Sequence, residues 1–214
     1  MNDLTFSEAE LPGLCDRVAV LDADLQGVID EYGYPPYWDR PNTFESLVWF
    51  ILEQQVSLAS AKAALEKLRE RVGIIRPENV LALTDDEFRA AYFSRQKTAY
   101  VRGLAQEIVD GGLDLAALES LPDDAIRERL VRLKGVGNWT VDVYLIIVLH
   151  RRDLFPVGDL AAVNGLKELK GLPRDTPVGD VAAATRAWAP YRTIGTMIVW
   201  HSYLARRAPR RPPA

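Results

Sequence analysis

The chain has 214 residues, 48% of them hydrophobic and 26% charged, with a formal net charge of -4. That composition is globular and large enough to bury a substantial core, so neither a disordered nor a fibrous chain is expected. Its single cysteine, Cys15, excludes an internal disulfide and any Cys-ligated zinc or iron–sulfur cluster, and it suits a reducing cytoplasm.

The N-terminus, MNDLTFSEAE, is acidic where an export signal has a basic start and an apolar run. Helical spacing then dominates. Phe44, Leu47, Val48, Ile51 and Leu52 recur at three and four, as do Ala61, Leu65 and Leu68, and strand-like alternation is missing. The pattern predicts an all-α fold with helices near 14–31, 44–54, 58–72, 85–92, 96–110, 123–133, 138–150, 159–170, 177–188 and 191–205. Thr84 with Glu87 reads as a capping box, Asp123 or Asp124 as a cap for the following helix, and Thr176-Pro177 as a helix start. Gly73, Gly111-Gly112, Gly135 and Gly171 read as helix stops. Tyr34-Pro35-Pro36-Tyr37-Trp38 to Pro41 reads as a rigid connector, and 208–214, with Arg210, Arg211 and three prolines, as a flexible tail. The longest apolar run, Val143 to Leu149, is far short of the ~20 residues of a membrane span and fits a buried helix.

Charge is unevenly spread. Residues 1–90 carry 8 basic and 17 acidic side chains, a net of -9, whereas 91–214 carry a net of +5. A locally basic face can hold phosphates whatever the overall sum. Ordinary surface variation with a basic tail explains the same numbers.

Leu133-Lys134-Gly135-Val136-Gly137 joins two helical patterns with room only for a tight hairpin, in which glycine supplies backbone geometry that a Cβ forbids. The helix starting at Asn138 or Trp139 has unpaired first amides, and glycine lets an anion approach them. A DNA phosphate fits there, with Lys134 beside it as a point charge. An interhelical turn ending in a glycine cap explains the hairpin as well.

Leu-Lys-Gly-Val-Gly-Asn-Trp-Thr, followed some twenty residues on by Phe-Pro-Val-Gly-Asp, resembles the helix-hairpin-helix, Gly/Pro-rich, aspartate motif of the base-excision DNA glycosylases. Thr43 to Val48, Ile51 to Ser57, Ser94-Arg95-Gln96-Lys97, Pro190-Tyr191-Arg192 and Trp200 extend the likeness to the AlkA-type 3-methyladenine branch, over roughly Thr43 to Tyr203. The resemblance implies a compact form without the N-terminal β domain of larger bacterial members. It implies two helical lobes with an active cleft between them: 44–152, including the helix-hairpin-helix 123–150, and 1–43 with 153–207.

Cleaving a nucleoside's glycosidic bond builds oxocarbenium charge on the sugar, which a carboxylate near C1′ stabilises. Asp159 is the candidate, assigned by the resemblance to activate water or stabilise the cation; an Asp before Leu160-Ala161-Ala162-Val163 is also a good N-cap. Relatives that also nick DNA carry a lysine directly after the hairpin, where this chain has Trp139. The resemblance therefore implies a monofunctional enzyme without lyase activity. Alkylated purines such as 3-methyladenine and 7-methylguanine are cationic, and the indoles of Trp139 and Trp200, with Tyr144, are the expected base pocket. Relatives have a tyrosine four residues beyond the hairpin tryptophan; Val143 stands there instead, which leaves the substrate range open. His150 and His201 read as structural or peripheral.

Expected DNA contacts are Lys134, Gly135, Val136, Gly137 and Thr140 at the hairpin, Arg95 as the wedge that fills the gap of a flipped base, and Gln54 and Gln55, which read equally as helix caps. No cofactor is expected, and no side-chain metal site; relatives allow a sodium or potassium ion on the hairpin carbonyls of Leu133 and Val136. The expected partner is duplex DNA containing alkylated bases, the expected state a monomer away from membranes. Two other functions remain: a glycosylase for oxidised or mismatched bases, and a non-catalytic helix-hairpin-helix DNA-binding module.

Overall fold

The computed structural model describes residues 4–207. The expected tail at 208–214 lies outside them. The helices are α1 (Leu11–Leu21), α2 (Ala23–Tyr32), α3 (Phe44–Glu53), α4 (Leu58–Val72), α5 (Pro77–Leu81), α6 (Asp85–Ala90), α7 (Arg95–Val109), α8 (Leu115–Leu118), α9 (Asp123–Leu130), α10 (Asn138–Ile147), α11 (Leu160–Leu169), α12 (Val178–Ala183) and α13 (Arg192–Arg207), with 3₁₀ turns at Glu8–Glu10 and Arg186–Trp188. Among the described residues the only extended pairing is an isolated antiparallel bridge, Thr5 to Arg151, so the all-α expectation holds. No described helix is long and apolar enough to cross a membrane.

Two compact units share the chain, Arg40–Leu149 and the segments Met1–Asp39 with His150–Ala214. Within Arg40–Leu149, α3 buries seven of its ten side chains and packs on α4, α7 and α10. α10 buries Thr140 through Ile146 and packs also on α9. In the other unit α13 is the axis, packed on α1, α2 and α11. It buries an unbroken run from Thr193 to Trp200. Gly165 lets α11 come close, since a Cβ there would stand 2.8 Å from Val199 Cγ1.

Several predicted elements change at identifiable residues. The helix expected over 14–31 starts at Leu11 and breaks at Asp22, whose extended backbone and carboxylate cap α2 through the Asp24 amide at 3.1 Å. Neither Asp123 nor Asp124 caps α9: Pro122 holds that position without a side-chain bond, and both acids lie in the first turn. The span 177–188 divides into α12 and a 3₁₀ turn, and α9 and α10 end three residues early. The short helices α5 and α8 have no counterpart in the predicted set. The Thr84–Glu87 capping box forms as read.

Candidate active site and nucleic-acid interface

Asp159 sits at the end of a corner that the chain builds from α13. The Asp153 carboxylate accepts from the Arg192 amide at 3.1 Å and from the guanidinium at 2.7 and 2.8 Å, which fixes the start of that helix. Those guanidinium bonds, more than any other influence, hold the Asp153 carboxyl below the usual carboxylate range. Thr193 Oγ1 donates to the Arg151 carbonyl at 2.6 Å and accepts from the Leu154 amide at 3.1 Å. With the strand of chain 151–154 sewn to the helix, Pro156 to Asp159 turns sharply, closed by the Asp159 N–H on the Pro156 carbonyl at 2.9 Å.

The Asp159 side chain is partly exposed and held by two donors on the same oxygen. The Ala162 amide, in the first turn of α11, donates to Oδ1 at 2.8 Å. The Trp200 indole N–H donates to it at 2.9 Å. Asp159 is therefore the N-cap that its sequence context indicated, and also a carboxylate whose direction is set from α13. Trp200 keeps 8% of its surface exposed. Against it stands Trp38, half-buried, with ring centroids 6.0 Å apart and planes at 83°. Two indoles thus meet edge to face beside the carboxylate.

The hairpin forms in Arg40–Leu149. The Val136 amide closes it on the Leu133 carbonyl at 3.0 Å. Gly135 adopts φ 92°, and a Cβ there would lie 2.2 Å from the Tyr100 ring of α7, so both backbone and space demand glycine. Gly137 is the N-cap of α10 in an extended conformation with no side-chain cap. The first helical bond runs from the Val141 amide to the Gly137 carbonyl. Ahead of it, the amides of Asn138, Trp139 and Thr140 form the kind of helix start that attracts anions, and exposed Lys134 stands on the same hairpin. Arg127 of α9 braces the second helix, donating to Asn138 Oδ1 at 3.0 Å and to Asp142 at 2.5 Å.

Residues 48–190, which include the glycine hairpin, the buried helix it opens and the capped aspartate of the Pro-Val-Gly-Asp turn, match the model of a repair-protein family. The chain belongs to the HhH-GPD superfamily of base excision DNA repair proteins. Among superfamily members, DNA-3-methyladenine glycosylase 1 of Schizosaccharomyces pombe is 26% identical over 204 residues, covering 94% of this chain and 88% of the relative. The Bacillus subtilis protein YfjP is 27% identical over 83% of this chain, which spans only 65% of YfjP. The solved structure of the Schizosaccharomyces pombe 3-methyladenine DNA glycosylase in complex with abasic DNA superposes with a TM-score of 0.82, covering 88% of this chain and 95% of that one at 26% identity. That of Bacillus halodurans DNA-3-methyladenine glycosidase gives 0.74 at 30% identity, covering 89% and 88%.

The other predicted site residues occupy varied positions on this superfamily scaffold. Trp139 is half-buried in the first turn of α10. Tyr144, on the same helix, is fully buried and gives its hydroxyl to Asn42 Oδ1 at 2.7 Å, which makes it a core residue of its unit. Val143 is 4% exposed. Val136 and the Thr140 side chain are buried, whereas Lys134 and Gly137 of the same hairpin are exposed. Arg95 is exposed at the start of α7, behind the Ser94 cap. Gln55 is exposed with φ 58°, a left-handed conformation that few non-glycine residues adopt. Gln54 turns inward to the hairpin, its Nε2 2.8 Å from the Gly135 carbonyl. Among the described residues no group of three or more His, Cys, Asp or Glu is placed to hold a metal ion.

Trp38 was not among the predicted site residues. Its rigid Pro-Pro-Tyr-Trp context looked like a connector; an aromatic anchored behind two prolines was the available signal.

Proposed function

We propose that the protein is a monofunctional DNA glycosylase that removes alkylated bases from duplex DNA. The single observation that carries this reading is the Asp159 carboxylate, oriented by the Trp200 indole and the Ala162 amide, in a chain of the HhH-GPD superfamily. The family membership supplies the reaction class, and relatives named as 3-methyladenine DNA glycosylases supply the lesion class.

In this mechanism the bond from C1′ to the base nitrogen breaks, its electron pair leaving with the base. Asp159 stabilises the positive charge that grows on the sugar, an interaction present only as the bond stretches. Water then adds its oxygen to C1′ and loses a proton, leaving free base and an abasic site. A methylated purine already carries positive charge, so it departs without a strong general acid. The indoles of Trp38 and Trp200 favour that cation over neutral bases by about 1 kcal/mol or more per good contact. Trp139 has no amine to attack C1′, so no Schiff base forms. The amides at the start of α10 and Lys134 hold a backbone phosphate, with Arg95 and Gln55 as further DNA contacts. An alkali ion fits the Leu133 and Val136 carbonyls, since Leu133 O accepts one hydrogen bond, from the Val136 amide, and keeps a second lone pair. There it would add positive charge to the phosphate site.

Incubation with methylated duplex and, separately, with 8-oxoguanine duplex, followed by chromatography of free bases, tests the reading. The expected products are 3-methyladenine and 7-methylguanine, with DNA strands intact until alkali is added. Release of 8-oxoguanine alone, or a borohydride-trapped covalent adduct, would refute it.

A further inference from the structure

Gln54 ends α3, and its side chain is committed in two directions at once. Nε2 donates to the Gly135 carbonyl at 2.8 Å and to Thr140 Oγ1 at 3.0 Å. An amide nitrogen has two hydrogens, and here one holds the hairpin while the other holds the first turn of α10. These anchor points lie on either side of Gly137, the N-cap from which α10 and its first amides start. The Gln54 backbone is itself held: Lys97 Nζ, on α7, donates to the Gln54 carbonyl at 3.0 Å and to the Leu52 carbonyl at 2.6 Å. A cation at the last carbonyls of a helix is favourably placed. Partial burial pulls the Lys97 ammonium below the ordinary lysine range.

We propose that Gln54 and Lys97 are positioning residues for DNA binding: Lys97 fixes the end of α3, and Gln54 in turn fixes the hairpin amides at the spacing a phosphate requires. Gln54 acts through the hairpin rather than by touching a base or strand. This rests on the hairpin being the DNA grip, as proposed above, and it is independent of which base is released. The physical ground is pre-organisation. A hairpin left to fluctuate must be ordered by the DNA itself, and that cost appears as lost affinity.

Duplex binding is measured by fluorescence anisotropy, and base release at saturating enzyme is measured separately. Gln54→Met keeps the length of the side chain and removes both donors. Its Kd should rise about tenfold, as expected when two hydrogen bonds to a binding element are lost. Release from the saturated complex should stay within about twofold. Lys97→Met should weaken binding less, and Lys97→Arg, which keeps donors for the same carbonyls, should restore it. Because Lys97 acts through Gln54, the double Met variant should bind no worse than Gln54→Met alone. Wild-type affinity in both single Met variants would overturn the proposal, as would a fall in saturated release with Kd unchanged. If Gln54→Met does not fold, the Lys97 pair decides: equal affinities for Lys97→Met and wild type overturn it. A wild-type protein that binds duplex yet releases no base defeats the glycosylase reading and leaves this test intact; one that binds no duplex defeats the hairpin grip and this proposal with it.

Discussion

The Trp200 indole N–H donates to Asp159 Oδ1 at 2.9 Å, so one side chain both orients the candidate carboxylate and offers an aromatic wall beside it. Trp200→Phe separates those roles by keeping a ring and deleting the donor. With the Ala162 bond still in place at 2.8 Å, base release should fall about tenfold, the scale of one lost hydrogen bond to a charged group. Single-turnover kinetics on methylated duplex checks this, and a change confined to Kd would argue against an orienting role.

Trp38 meets Trp200 edge to face and adds a second indole to the same corner. Trp38→Ala should slow release of cationic 7-methylguanine about fivefold more than release of neutral hypoxanthine, the equivalent of ~1 kcal/mol of cation–π attraction. Equal losses on both bases would mean that the ring only fills space.

The two hairpin glycines should behave differently. Gly135→Ala forces a Cβ into a φ of 92° and against the Tyr100 ring, close to that residue's own backbone. Stability should drop by roughly 1 to 3 kcal/mol, and DNA binding with it. At Gly137 a Cβ meets nothing within 4 Å, so Gly137→Ala should melt like wild type. It should still bind duplex more weakly, because the new methyl stands where an anion approaches the amides. Calorimetry paired with anisotropy on both variants distinguishes these outcomes.

Acid should loosen the start of α13 through Asp153. Its carboxyl is held below the ordinary range by Arg192, so its contribution to stability is complete above about pH 4 and is lost as pH falls through the lowered folded value. The difference in urea midpoint between wild type and Asp153→Asn should therefore be full at pH 6 and shrink steadily below pH 4. A difference that stays constant to pH 2 would contradict this assignment.

Much of the fold was legible because local and tertiary demands agree. For α4, apolar spacing and the Gly73 stop gave 58–72, and the structure has those bounds, with Ser57 capping the start and Gly73 at φ 70°. The break at Asp22 was not legible, because apolar spacing continues across it. Asp22 is held by Lys170 at 2.5 Å and by the Trp188 indole at 2.7 Å, partners 148 and 166 residues away. The same holds at the site. Asp159 could be read as a cap from its neighbours and as the catalytic carboxylate from the resemblance of its motif, whereas Gln54 looked equally like a cap or a DNA contact. What decides its direction is the Gly135 carbonyl, 81 residues on. Tyr144 was expected in the base pocket with the indoles, and its neighbours gave no sign of the hydroxyl's partner, Asn42, 102 residues before it.

The central claim is that the charge on Asp159 drives base release, and Asp159→Asn tests it most directly. Asparagine keeps an oxygen for the Ala162 amide and the Trp200 indole, so the cap and the fold should survive. Single-turnover release of 7-methylguanine from methylated duplex should fall about 100-fold or more, while duplex affinity stays within about threefold. Release at the wild-type rate by this variant would contradict the account.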